Sequence, residues 1–292
     1  MIIRIKKIHV FLLALILVSV SFLFTIKNER IEKTVSVNQG LNLPVVMYHH
    51  VTESPEKAGK YIVTTEELEK DFVYLNEHGY KTVTVRDLIE YTESRRELPQ
   101  KIIMITFDDG FKSVYKLALP LMEKYNIKAV IAPVGIVTEE YTINKNTDIN
   151  YSYMTWQELE EMNENPLTEV QSHSYNMHKL SKDGTIRNGM AEKKGETKEE
   201  YKKSLTDDLM LMEKNLFEKS NVKPAAIAYP YGVYSKNTLE IIKELGYKSN
   251  FLCEERINTI IKGDKDSLYN LGRYNRASGV KTEDFFKKMK VF

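Results

Sequence analysis

The sequence predicts an α/β fold: a barrel of parallel strands with helices between them, preceded by one membrane-crossing helix. Three observations predict it. Short apolar runs that read as strands alternate with helical patterns between Leu43 and Phe292, and roughly six to eight such units suit a barrel better than an open sheet. Polar residues able to do chemistry recur at the C-terminal ends of those strands, at His49, Asp108, Asp109, His173 and Tyr231, the rim where such barrels keep their sites. Finally, Arg4, Lys6 and Lys7 precede an apolar run from Ile8 to Ile26 that is long enough to cross a bilayer.

The basic flank places the N-terminus of that run in the cytoplasm and the rest of the chain outside the cell. A cleavable signal peptide is the competing reading, but Phe22 to Thr25 is a poor fit to a small-residue cleavage site. Residues 1–27 are therefore read as an anchor or signal segment, 28–42 as a polar tether, and 43–292 as the folded domain. The expected location is the cell membrane, single-pass with the domain extracellular, or secreted if the segment is cleaved.

Pro44 to Tyr48 is the first strand, ending at His49 and His50. Thr64 or Thr65 caps a helix with apolar residues at Leu68, Phe72 and Leu75, stopped by Gly79. Thr82 to Val85 alternates like a strand end, and Val85 to Tyr91 reads as a short helix. Ile102 to Thr106 is the central strand, too short for a helix and ending at Asp108, Asp109 and Gly110. Val114 to Tyr125 is helical, with Pro120 expected to kink it. Ala129 to Ala132 and Glu169 to His173 are strands, and Thr155 to Asn163 is a helix carrying the only tryptophan, Trp156. Beyond a polar loop come a long helix over residues 199–219, strands at Ala225 to Tyr229 and Lys248 to Leu252, and a helix from Asn237 to Leu245. A last strand at Leu268 to Leu271 and a helix from Thr282 to Met289 complete the pattern.

Composition excludes some functions. Lys plus Arg number 42 against 41 Asp plus Glu, a net charge of +1, and no basic stripe interleaved with aromatics appears, so no nucleic-acid partner is expected. The single cysteine, Cys253, leaves no intramolecular disulfide.

Two adjacent carboxylates in one cleft repel, so one of Asp108 and Asp109 needs a cation or a proton. His173 and His178 bracket a short segment after a strand. Two neutral imidazoles with one carboxylate form a set suited to Zn²⁺, or to another divalent transition metal such as Co²⁺ or Ni²⁺. Tyr151, Tyr153 and Tyr175 could stack on sugar rings, whereas Trp156 reads as core.

Thr106 to Gly110 (T-F-D-D-G), His173 to His178 (H-S-Y-N-M-H) and Ala228 to Gly232 (A-Y-P-Y-G) resemble the three motifs of the polysaccharide deacetylases, carbohydrate esterase family 4, with its NodB-homology domain. Pro44 to Val51 and Tyr80 to Leu88 resemble the branch called intercellular adhesin deacetylases, which act on poly-N-acetylglucosamine. The resemblance implies a distorted (β/α) barrel of the NodB type. It implies that Asp108 is the catalytic base, that Asp109, His173 and His178 bind the metal, and that the Tyr231 backbone N–H helps hold the oxyanion. It implies removal of N-acetyl groups from N-acetylglucosamine units of an extracellular polysaccharide. A peptidoglycan substrate and a non-catalytic glycan-binding role are the alternatives.

Two departures from the family pattern matter. The arginine many members carry at the position of Ala228 is missing, and Arg273 or Arg276 could tune the base from another loop. No histidine follows His178, where many members place the general acid. Of the six histidines, His9 lies in the anchor, His78 at a helix end, and two are committed to metal. His49 and His50 remain, and His49 is assigned the role, with His50 as the alternative.

Overall fold

The computed structural model describes residues 40–144, 148–181 and 186–292. The anchor or signal segment at 1–27 lies outside the described residues, as does most of the tether. Among the described residues no helix is long and apolar enough to cross a membrane. The end of the tether belongs to the fold, because the first strand already begins at Leu41.

In chain order, β1 (Leu41–Leu43), β2 (Val45–Tyr48), β3 (His50–Thr52) and β4 (Ile62–Thr64) lead into α1 (Thr65–Glu77). Next come β5 (Lys81–Thr82), α2 (Val85–Thr92) and the long strand β6 (Ile102–Asp109). After them stand α3 (Leu119–Tyr125), β7 (Ala129–Pro133), α4 (Gly135–Asn144), α5 (Trp156–Glu164) and β8 (Thr168–Val170). Then α6 (Lys198–Ser220), β9 (Ala226–Ala228), α7 (Thr238–Glu244) and β10 (Ser249–Phe251) follow. The series ends with β11 (Asn258–Ile260), β12 (Tyr274–Asn275) and α8 (Thr282–Lys288).

The main sheet is parallel, in the order β12-β2-β6-β7-β8, with β5 beside the start of β6. β9 and β10 form a second parallel pair. Single parallel bridges run from Ser172, just past β8, to Ile227 in β9, and from Phe251 in β10 to Leu271. β1 pairs antiparallel with β11. This is the parallel-sheet α/β fold that the alternation of strands and helices predicted.

β6 is buried on both faces, which is why its sequence runs apolar without alternation. Ile103, Ile105 and Phe107 enter one core cluster with Val46, Tyr48 and Trp156. Ile102 and Met104 enter another with Leu43, Val45 and Phe251. Helix starts are set locally: Thr64, Thr155 and Thr197 form capping boxes with Glu67, Glu158 and Glu200. Each satisfies two otherwise orphaned N–H groups and contributes about 1 kcal/mol.

Two expectations are corrected, a third gains detail, and one helix is added. The segment read as a strand from Thr82 to Val85 is mostly a cap: Thr84 accepts from Asp87 N–H and starts α2. Pro120 does lie where the helix is irregular: the turn before it, Val114–Ala118, is π-helical, and the proline then stands in the first turn of α3. The last strand is not Leu268 to Leu271. Lys265–Leu268 is a 3₁₀ turn, and the pairing with β2 falls on Tyr274 and Asn275. The helix α4 was not foreseen, since only Gly135 and Thr138 of its ten residues are buried and no apolar stripe marks it.

Candidate metal and catalytic centre

An extended strand sends neighbouring side chains to opposite faces. β6 escapes this at its tip. Asp109 has φ 70°, in the left-handed region, and Gly110 follows with φ 82°. Gly110 also has no room for a side chain, since a Cβ there would stand 2.8 Å from Cβ of Pro133. The backbone therefore turns between the two aspartates, and both carboxylates act on one site: His49 and His173 each feel the charge of Asp108 and of Asp109.

Asp108 is buried, and its partner is Arg273, also fully buried. Nη1 and Nη2 of Arg273 donate to the two carboxylate oxygens at 2.7 Å each. Arg273 Nε donates to the Leu252 carbonyl at 3.0 Å, and Nη1 reaches Thr106 Oγ1 at 3.3 Å. Burial pushes the Asp108 carboxyl up, but the Arg273 guanidinium outweighs it and holds the group below its ordinary value. Of the two arginines offered by the sequence, Arg273 is the one that holds Asp108. Arg276 does not: its Nε and Nη2 donate to the buried carboxylate of Asp71 at 2.7 and 3.1 Å, and Tyr48 Oη donates to the same carboxylate at 2.8 Å.

Removing one partner of a buried ion pair leaves the other charge stranded. Arg273→Met is therefore expected to cost about 3–5 kcal/mol of stability near neutral pH, read by urea unfolding. The folded Asp108 carboxyl lies below its unfolded value, so the pair's contribution is full above the ordinary aspartate range and fades as pH falls through the folded value. The gap between variant and wild type should narrow in acid. A gap that is absent at neutral pH or that widens in acid would refute the assignment.

Asp109, His173 and His178 meet at one point, their ligand atoms all within 4.8 Å of one another. His173 Nδ1 lies 2.8 Å from the Ala228 carbonyl, which can only accept, so this nitrogen carries the proton. The free Nε2 then faces Asp109 Oδ1 at 3.5 Å. His178 Nε2 stands 3.2 Å from the same oxygen, and its Nδ1 lies 3.1 Å from the Tyr231 hydroxyl. Burial pushes the Asp109 carboxyl up, while the close imidazoles of His173 and His178 drive it far below the carboxylate range.

Buried Oδ1 of Asp109 has no hydrogen bond of good geometry despite the two imidazoles around it. Two ligands each about 2.1 Å from a tetrahedral ion sit about 3.4 Å apart. The spacings of 3.2 and 3.5 Å, two imidazole lone pairs and one unsatisfied carboxylate oxygen fit a divalent metal ion.

His49 and His50 part ways as consecutive residues of an extended chain should. His50 Nε2 turns to the Asn150 carbonyl at 3.0 Å, and its ring packs edge-on against Phe111. His49 packs edge-on against Tyr61 at 4.9 Å, and its buried Nδ1 has no partner. Burial pulls the His49 imidazole below its ordinary value, against the opposing pull of Asp108 and Asp109. Tyr231 sits at the rim in a strained turn, with φ 58° and its ring 4.3 Å from that of His178. Gly232 beside it admits no side chain, because a Cβ would stand 2.8 Å from Cβ of Cys253. Trp156 is buried in the core with its Nε1–H on Glu139, while Tyr151 is exposed. Tyr61 and Thr106 reach the site without having been singled out. Thr106 lies inside T-F-D-D-G, where its β-branched side chain reads only as strand-former.

Two curated relatives are named poly-beta-1,6-N-acetyl-D-glucosamine N-deacetylase. The one from Escherichia coli K12 is 28% identical over 225 residues, 72% of this chain and 33% of its own length. The one from Staphylococcus aureus MRSA252 is 28% identical over 206 residues, 70% of this chain and 66% of its own length. The chain thus spans about a third of the first and just under two thirds of the second. A solved de-N-acetylase from Aggregatibacter actinomycetemcomitans superposes with a TM-score of 0.71 at 25% identity, covering 85% of this chain and 99% of that one. The family model described as polysaccharide deacetylase matches residues 95–249, more than half of the 292, and Asp108, Asp109, His173, His178 and Tyr231 fall inside the match: the chain belongs to the polysaccharide deacetylase family.

Proposed function

We propose that this protein is a metal-dependent hydrolase that removes N-acetyl groups from N-acetylglucosamine units of an extracellular polysaccharide, poly-β-1,6-N-acetylglucosamine. The observation that carries the chemistry is the Asp109–His173–His178 cluster beside a buried, ionised Asp108. The names of the curated relatives support the polymer. Zn²⁺ is the metal proposed, since two imidazoles and one carboxylate leave a tetrahedral ion one open position.

When bound, the metal would polarise the acetamide carbonyl and acidify water. Asp108, kept ionised by Arg273, accepts the proton of the attacking water. The Tyr231 backbone N–H donates to the oxyanion. His49 donates a proton to the nitrogen, so that the sugar leaves as a free amine and not as an amide anion. The products are acetate and a glucosamine unit.

We propose further that the parallel strands close into a distorted (β/α) barrel, a reading supported by the Ser172–Ile227 and Phe251–Leu271 bridges that link the two parallel sets. The apolar run from Ile8 to Ile26 would tether the domain outside the cell membrane; recovery of the protein from the medium with a new N-terminus past Ile26 would remove the tether.

The test of function is acetate release by the purified full-length protein, stripped of metal and reloaded with Zn²⁺, on poly-N-acetylglucosamine and on peptidoglycan. Zinc-dependent release from the first alone is expected. Release from peptidoglycan alone would move the substrate, and release from neither would leave a glycan-binding protein.

A further inference from the structure

We propose that Asp208 is a positioning residue for the metal site, fixing the loop that carries His173 and His178. The inference rests on the metal-site reading above.

Both histidines ride on one short loop, so the spacing of their rings is set by the backbone between them. That backbone is not relaxed. Ser174 has φ 68°, a left-handed conformation that residues with a Cβ seldom hold unless their surroundings impose it. The surroundings are specific. Asp208, on α6, accepts from two consecutive N–H groups of the loop: Oδ1 from Tyr175 at 2.9 Å and Oδ2 from Asn176 at 2.8 Å. On the other side, the first N–H groups of α4 take the carbonyls of the same turn, Gly135 to Ser174 at 3.0 Å and Ile136 to Tyr175 at 2.8 Å. Position 135 must be glycine for this contact, because a Cβ there would stand 2.4 Å from the Tyr175 ring.

Serines hold the remaining amides. Ser172 Oγ accepts from the Ser174 N–H, and Ser174 Oγ accepts from the Met177 N–H. Among these acceptors Asp208 is the charged one, and it alone reaches in from a distant helix. A carboxylate bonded to two backbone N–H groups is a stronger clasp than a neutral acceptor. The two clasped amides are the middle ones of the segment between His173 and His178. Asp208 touches neither ring; it acts through the main chain. A bland alternative is that these bonds only knit α6 to the sheet, in which case their loss would lower stability and leave the metal site unchanged.

The test uses the full-length protein, stripped of metal and titrated with Zn²⁺ against a competing chromophoric chelator. A parallel sample is loaded with Co²⁺ to read its visible absorption. Asp208→Asn keeps the shape but loses the charge and one acceptor. It is expected to bind Zn²⁺ about 10–100-fold more weakly, with an altered Co²⁺ spectrum. Asp207→Asn, next door, removes only an exposed pair with Lys203 and should match the wild type. Asp208→Glu keeps the charge but shifts the oxygens by a methylene, and it carries the same test if the asparagine variant does not fold. Wild-type Zn²⁺ affinity and Co²⁺ spectrum in the Asp208 variants overturn the inference, whatever their melting temperature. Failure of the underlying reading looks different: the wild type would bind no Zn²⁺, or His178→Ala would bind it as tightly as the wild type.

Discussion

Asp108→Asn is expected to take up metal as the wild type does and to release acetate about 10²–10⁴-fold more slowly. The carboxylate is buried, yet it is held ionised by two 2.7 Å bonds from Arg273, so it is ready to accept a proton at neutral pH. Asparagine fills the same space and cannot take that proton. The substitution also turns an amide N–H₂ toward the guanidinium, so the variant should unfold at lower urea. Its rate must therefore be expressed per mole of folded, metal-loaded protein. Turnover at the wild-type rate on that basis would remove Asp108 from the role of base.

His49→Ala is expected to cut acetate release by about 10²–10⁴-fold with metal affinity unchanged. The imidazole feels both aspartates and is not one of the three clustered ligands. Its buried Nδ1 has no protein partner, which leaves the ring free of any evident structural duty through that atom. A general acid works only while protonated, so the wild-type rate should fall as pH rises through the His49 pKa. That alkaline limb should flatten in the variant. His50→Ala is the control: its ring is engaged with Asn150 and Phe111, and turnover should change little. Loss confined to His50→Ala would transfer the role, and no loss in either would end it.

What the sequence disclosed depended on whether a signal was local. β6 was legible because burial on both faces writes an unbroken apolar run ending at two aspartates and a glycine. The capped helices were legible because Thr and Glu three residues apart mark a helix start. β12 was illegible: it is two residues long and carries no period. The choice between Arg273 and Arg276 could not be made without it. In an extended segment, residues an odd number apart face opposite ways. Arg273 accordingly turns to Asp108 and Arg276 to Asp71, but nothing in their own neighbourhood says which is which. Asp208 was hidden for a similar reason. It lies on a helix surface one residue from the apolar stripe of Leu205, Leu209 and Met212, and its partners are main-chain amides, which leave no mark in a sequence.

The route by which Arg273 reaches Asp108 has a consequence for how the molecule comes to life. The two residues are 165 positions apart, and the strand that follows Arg273 pairs with β2, setting Tyr274 opposite Val46. Contacts this distant form late, since long stretches of chain must be closed before they are rewarded. Until they form, the tip of β6 holds a carboxylate that cannot be buried dry without its counter-charge. Completing the sheet and neutralising the buried carboxylate are thus one event. A chain emerging N-terminus first leaves Asp108 without its counter-charge until its late segment docks beside the earliest strands, and docking completes the sheet and the ion pair together.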